Sequence, residues 1–349
     1  MTVTELRNLV RQWDFSLTGS ATAKSEFGFI LDQLDHHATR EWRVYLPAEH
    51  PDFNPSYIER LAAWISNVTD EADQKLLLKY AARINFFSHD DFAAFYRTVI
   101  DREVSRWIAS QISARLEPHG VGLFQDLIER EINFHTWFCP VTDSMDINEF
   151  YKVNHLKGVG HRPGFATLEM IATMPGNEDP KIAENLRRYM ADSRPRPGRP
   201  PIPLKRIVLL EDIVGSGSQC IKAVRWAVAN LGVPVLFVPL ILCPNGVVAL
   251  RIEEARSGGM LTVRPVIELH RSDLLGPERQ GEQGWPITAD LEDLAQRTFT
   301  AAGFPPFGYQ DTGCSLSTFA NTPDNSVLMI HHKISNGHWE PLFPRVFRD

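Results

Sequence analysis

Residues 207–220 read Ile-Val-Leu-Leu-Glu-Asp-Ile-Val-Gly-Ser-Gly-Ser-Gln-Cys, and this stretch constrains the fold more than any other. Ile207 to Leu210 form an apolar run of the length of a short buried strand. Glu211 and Asp212 follow, then a loop of small residues, Gly215-Ser216-Gly217-Ser218. Straight after the loop, Ile221, Val224, Ala227, Val228 and Leu231 fall on one face of a helix. A strand that ends in acids and turns through glycines into a helix start builds an anion site. Loop N–H groups point at a phosphate, and the helix dipole favours its charge. The acids also stand where open α/β sheets bind ligands, at the carboxyl end of a strand.

Other glycine loops fit less well. A P-loop requires Gly-Lys-Ser/Thr, and no lysine is present. A dinucleotide fingerprint needs a third glycine where Cys220 stands. A methyltransferase-like loop expects an acid at the end of the next strand, which closes instead on Cys243-Pro244-Asn245. An exposed turn with chance glycines leaves the paired acids unexplained.

The order of strand, acids, loop and helix resembles the phosphoribosyl-diphosphate signature of the type I phosphoribosyltransferases. The resemblance implies that Glu211 and Asp212 bind ribose hydroxyls. It implies further that Gly215, Ser216, Gly217, Ser218 and Gln219 form the 5′-phosphate loop. Two residues depart from the family pattern. Gln219 stands where a threonine usually closes the loop, and Gly215 stands where some purine-base members carry a catalytic aspartate.

The chain has 349 residues, enough for two domains or one elaborated domain. A net charge of −7 argues against broad nonspecific binding of nucleic acid. Cys139, Cys220, Cys243 and Cys314 are widely spaced with no Cys-x-x-Cys pair, so neither a zinc ribbon nor a dithiol motif is expected. Their use fits a reduced, cytoplasmic setting. The first residues lack the basic-then-apolar order of a signal peptide, and the longest apolar run, Val233 to Cys243, is too short for a membrane span.

Residues 1–132 read as a helical region packing on a core, and residues 133–349 as an α/β domain with a β-rich C-terminal extension. Leu61, Trp64 and Ile65, then Leu76, Leu77 and Tyr80, then Phe92, Phe95, Tyr96 and Val99 recur at helical spacing. Helix starts are expected at 69–71 and 88–90. Phe134 to Val141 reads as a strand and Thr142-Asp143-Ser144 as a turn or cap. A helix is expected over 178–190. A proline- and arginine-rich segment, 193–201, then precedes the signature; it reads as a linker or as a mobile basic lid over a phosphate. After the signature come a helix over 218–231, a strand over 234–242, a helix over 246–257 and a strand over 261–269. This alternation implies βαβ units and a parallel sheet with helices on both faces.

The C-terminal segment Gly313-Cys314-Ser315-Leu316-Ser317-Thr318-Phe319, followed by Asn321-Thr322-Pro323-Asp324-Asn325, places turn chemistry between two apolar runs. Together with the signature, it looks like the phosphoribosyltransferase-like family associated with bacterial conflict systems, including antiphage defence and some retrons. The resemblance implies a type I phosphoribosyltransferase fold and an effector role. It also implies partners among other defence-system proteins, such as a reverse transcriptase with its RNA or DNA.

The chemistry implied is loss of diphosphate from phosphoribosyl diphosphate. Magnesium would neutralise the leaving group, arriving with the diphosphate rather than sitting in a dedicated protein site. Asp212 and Glu211 are the candidate catalytic acids; as strand-end acids they could instead cap the helix or pair with Lys205 or Arg206. Asn321, Asp324 and Asn325 are candidates for recognising a base or nucleotide, and ordinary turn formers otherwise. His331, His332 and His338 match no zinc spacing, and Lys157 to Gly164 reads as an anion-binding or plain loop. Two classes follow: an enzyme that transfers or hydrolyses a phosphoribosyl group, or an inactive nucleotide-binding regulator on the same fold.

Overall fold

A computed structural model describes residues 1–20, 22–42, 44–49, 56–113, 121–156, 184, 187–188, 190–191, 200–334 and 339–346. The chain forms two compact units. One comprises Met1–Phe92 with His270–Asp349, the other Ala93–Leu269. The boundary expected after residue 132 falls inside a helix of the second unit.

The first unit opens with α1 (Val3–Thr18), α2 (Glu26–Arg40), α3 (Tyr57–Ile65) and α4 (Glu71–Ala81), then β1 (Asn85–Phe87) and the start of α5 (His89–Thr98). Local chemistry sets these starts. Thr2 and Glu5 close a capping box on α1, Asp70 caps α4 through the amides of Ala72 and Asp73, and Ser88 and Asp91 bond reciprocally at α5. The apolar faces gather Leu6, Trp13, Leu34, Leu61, Trp64, Leu77 and Tyr80 into one core.

The second unit continues with a π-helical stretch, Val99–Val104, then α6 (Ser105–Ser113), α7 (Val121–His135), β2 (Thr136–Pro140) and α8 (Ile147–Val153). After these come β3 (Arg206–Val214), α9 (Ser218–Leu231), β4 (Val235–Leu242), α10 (Pro244–Arg256), β5 (Leu261–Val263) and β6 (Ile267–Glu268). The strands run in the order β2-β3-β4-β5, with β6 also on β4, and every pairing is parallel. The strand expected over 261–269 is two short ones. Pro265 interrupts the run, and a proline has no N–H to give a ladder.

Strand alternation covers both sheet faces. Trp137, Cys139, Ile207, Leu209, Val235 and Phe237 pack with Ala223, Val224 and Ala227 of α9. On the opposite face Phe138 lies 5.5 Å from Phe150 of α8, which in turn meets Tyr96 of α5 at 5.7 Å. Near-continuous apolar strands are the signature of a parallel sheet buried on both sides. Arg225 of α9 fixes that helix to α10 with two 2.6 Å bonds to Glu253.

The C-terminal part of the first unit holds α11 (Thr288–Ala295), β7 (Leu316–Thr318) and α12 (Leu328–His331). β7 pairs in parallel with β1, joining the two ends of the chain in one unit. The β-rich extension expected here consists, among the described residues, of β7 and isolated bridges, and the apolar run after Asn325 turns into α12. The indoles of Trp64 and Trp339 both donate to the carbonyl of Met329, at 2.7 and 3.0 Å.

Candidate functional site

Because β2, β3 and β4 are parallel, their carboxyl ends share one edge of the sheet. The turn after β2, the acids of β3, the small-residue loop and the start of α10 all lie there. β3 is longer than the apolar run 207–210. It continues through Glu211 and Asp212 because Ile213 and Val214 go on pairing with Ile241 and Leu242. The acids therefore belong to the strand, and alternation sends their side chains to opposite faces.

Glu211 is on the α9 side and only 4 % exposed. Its carboxyl meets Thr142 twice, with the amide 2.9 Å from Oε2 and the hydroxyl 2.6 Å from Oε1. Burial holds its pKa well above the ordinary carboxyl value. The neighbouring Asp212 pushes it the same way, the Thr142 bonds oppose, and Asp143 adds to the rise. Asp212 is half-buried. Its Oδ1 accepts from the Ser144 hydroxyl at 2.8 Å and from the amide of Ile213 at 2.7 Å. Thr142 Oγ1 and Ser144 Oγ are 2.6 Å apart.

Lys205 and Arg206 do not pair with these acids. Both bond Glu131 of α7, each at 2.7 Å, at the amino end of β3, and Arg206 also reaches Gln111. Burial raises the Glu131 pKa, but the bonds and charges of the two cations outweigh it and hold the carboxyl below its ordinary value.

The loop from Gly215 turns directly into α9. Gly217 is its N-cap and supplies no side-chain cap, while the Ser218 amide donates to the Ser216 hydroxyl at 3.4 Å. Gly217 has φ +83°, a backbone region that favours glycine. Gly215 and Gly217 are buried, Ser216 is half-buried, and Ser218 and Gln219 are exposed. The hydroxyls of Ser216 and Ser218 are 3.1 Å apart. Behind the loop stands Gly246 of α10, where a Cβ would lie 2.6 Å from the Gly215 carbonyl oxygen. The first turn of α10 thus supports the loop only because residue 246 has no side chain.

Asn321, Asp324 and Asn325 belong to the first unit, whereas residues 211–219 belong to the second. Asn321 ties down the C-terminal segment: its side chain donates to the Val346 carbonyl at 2.7 Å and accepts from the Val346 amide at 3.2 Å. Asn325 donates to Thr312 Oγ1, and Asp324 lies 3.8 Å from Arg345. Burial lowers the pKa of His331 to about 3, so its ring is neutral and Nε2 lies against the Ser326 carbonyl. Among the described residues no group of three or more His, Cys, Asp or Glu could hold a metal ion. His338, the stretch 157–164 and Arg194, Arg196 and Arg199 lie outside the described residues, as does most of the helix expected over 178–190.

From the sequence Thr142 and Ser144 read only as part of a turn or cap, and Gly246 does not stand out. The available signal was the position of two hydroxyls just beyond a second apolar strand, which in a parallel sheet ends on the same edge as β3. Among the described residues no helix is long and apolar enough to cross a membrane. No curated protein and no solved structure matches the chain. The family model PRTase-CE, however, matches residues 61–345. With most of its length matched and a parallel α/β sheet carrying acids and a glycine loop on one edge, the chain is a phosphoribosyltransferase-like protein of the PRTase-CE family.

Proposed function

We propose that the second unit binds phosphoribosyl diphosphate, or a nucleotide with the same ribose 5′-phosphate, at the carboxyl edge of its sheet. The phosphate rests on the loop 215–219, and Asp212 accepts from the ribose hydroxyls. The chemistry is transfer or hydrolysis of the phosphoribosyl group, with magnesium carried in on the diphosphate. The observation that carries this reading is the start of α9, where the N-cap Gly217 has no side chain to bond the first-turn amides, just after a half-exposed acid on the strand before it. Such a helix N-terminus offers N–H groups and a positive dipole end to an anion. Positioning supplies most of such catalysis, so no covalent nucleophile is needed.

The family resemblance supports an effector role in antiphage defence, beside partners such as a reverse transcriptase with its RNA or DNA. A binding-only regulator is the second reading. It is favoured by Gln219 in place of the loop threonine and by Gly215 in place of a catalytic acid. The experiment is incubation of purified protein with labelled phosphoribosyl diphosphate, magnesium, and a panel of bases and nucleotides, with binding measured in parallel. Product formation supports the enzyme, binding without product supports the regulator, and neither result with any compound refutes both.

A further inference from the structure

Three short oxygen–oxygen contacts join the two acids in series. Glu211 Oε1 lies 2.6 Å from Thr142 Oγ1, Thr142 Oγ1 lies 2.6 Å from Ser144 Oγ, and Ser144 Oγ lies 2.8 Å from Asp212 Oδ1. Oxygens this close hold a hydrogen between them. The two hydroxyls supply two hydrogens for three contacts, so the third comes from a carboxyl at one end. The amide of Thr142 occupies Oε2 of Glu211, which leaves Oε1 as the oxygen that carries or receives a proton.

We propose that Glu211 and Asp212 hold one proton between them through the hydroxyls of Thr142 and Ser144, and that these two are positioning residues for the acid pair. With the proton on Glu211, Glu211 donates to Thr142, Thr142 to Ser144, and Ser144 to an ionised Asp212. Moving one hydrogen along each contact reverses the series, leaving Glu211 ionised and Asp212 neutral, with no atom gained or lost.

The surroundings favour the first arrangement. The charged or titratable groups acting on Glu211 are Asp212 on its own strand and Asp143 on the β2–α8 turn, both of which oppose its ionisation. Cys220 of α9 also faces it, as a thiol that burial keeps neutral. Tyr96 of α5, a titratable group on the Asp212 side, is kept neutral by burial and by the charges of Asp146, Asp212 and Glu149. The pair therefore presents one negative charge, on the more exposed acid. This deepens the proposed use of Asp212: a ribose would meet one carboxylate rather than two.

The proton is readable without any ligand, so failure of phosphoribosyl diphosphate to bind would leave this test standing. The full chain is labelled with carbon-13 at the Glu and Asp carboxyls and titrated by NMR, with Glu211→Gln identifying the resonance. At neutral pH Glu211 is expected to be protonated in the wild-type chain; an ionised Glu211 overturns the proposal without need of any other variant. Ser144 touches Asp212 and has no bond to Glu211. Ser144→Ala removes two bonds from the singly protonated series but only one from the doubly ionised pair. The ionisation of Glu211 should therefore fall by about one pH unit, the scale of one hydrogen bond, and Ser144→Thr should restore it. Simple repulsion predicts no fall, because an Asp212 deprived of its donor repels Glu211 no less. A Glu211 ionisation that stays in place or rises in Ser144→Ala overturns the shared proton.

Discussion

Thr142 engages both oxygens of Glu211, by its amide at 2.9 Å and by its hydroxyl at 2.6 Å. A turn after one strand is thereby fastened to a buried acid on the next, at the edge where the phosphate loop begins. Thr142→Val keeps the shape and removes the hydroxyl, leaving a buried carboxyl oxygen and the Ser144 hydroxyl each short of a partner. A loss of about 1–3 kcal/mol is expected, with Thr142→Ser close to wild type. Urea unfolding at neutral pH checks this, and an unchanged midpoint in Thr142→Val would contradict it.

The raised pKa of Glu211 fixes the sign of a pH effect. The folded chain binds a proton that the unfolded chain releases above about pH 4.5, the ordinary value for this side chain. Stability from this group is thus fully present below that pH and falls as pH rises toward the folded pKa. Glu211→Gln removes the dependence. Relative to wild type, the glutamine variant should gain stability as pH is raised above the ordinary carboxyl value toward the folded pKa, as read by chemical denaturation. A difference independent of pH would show that Glu211 ionises in the folded chain as it does in the unfolded one.

Glu131 and Arg206 form a buried pair, with Lys205 as a second donor, at the amino end of β3 and away from the loop. Glu131→Ala leaves the Arg206 guanidinium buried without its carboxylate and should cost about 3–5 kcal/mol. Thermal unfolding measures the loss. Ligand binding by the fraction that remains folded should be unaffected; weakened binding at full stability would place Glu131 in the site instead.

Gly246 has its consequence at a distance from its own helix. Gly246→Ala places a Cβ against the Gly215 carbonyl and Leu242, with contacts of 2.6 and 2.8 Å that must open. The loop should be displaced and phosphate binding weakened at least tenfold, while far-UV circular dichroism stays unchanged. Gly217→Ala should also cost about 1–2 kcal/mol through its left-handed backbone. Calorimetric titration with ribose 5-phosphate reads both variants, and wild-type affinity in Gly246→Ala would mean that the loop does not depend on this packing.

The signature was legible because its parts are local. An apolar run, two acids, small residues and a helical period follow one another within a few turns of chain, and α9 begins and ends at the expected residues 218 and 231. Pairing partners were not legible. Nothing in the local pattern says that β1 joins β7, some 230 residues later, or that the chain's two ends form one unit. The same holds for Thr142 and Ser144, which are turn residues until β2 is laid beside β3. Asn321 keeps its turn chemistry by accepting from the Thr322 amide, but its side chain also holds Val346, a partner that the local pattern does not announce. The full length of β3 is not legible because a charged pair reads as a strand end, whereas burial of Glu211 against Thr142 lets the ladder run on.

The central claim is that the loop 215–219 receives a 5′-phosphate beside Asp212. A crystal structure of the full chain soaked with phosphoribosyl diphosphate and magnesium tests it most directly. The account predicts the 5′-phosphate on the backbone amides of residues 216–219 and the ribose hydroxyls within hydrogen-bond distance of Asp212, with both lost in crystals of Asp212→Asn grown and soaked alike. Phosphate bound elsewhere at full occupancy, with the loop and Asp212 untouched, would contradict it.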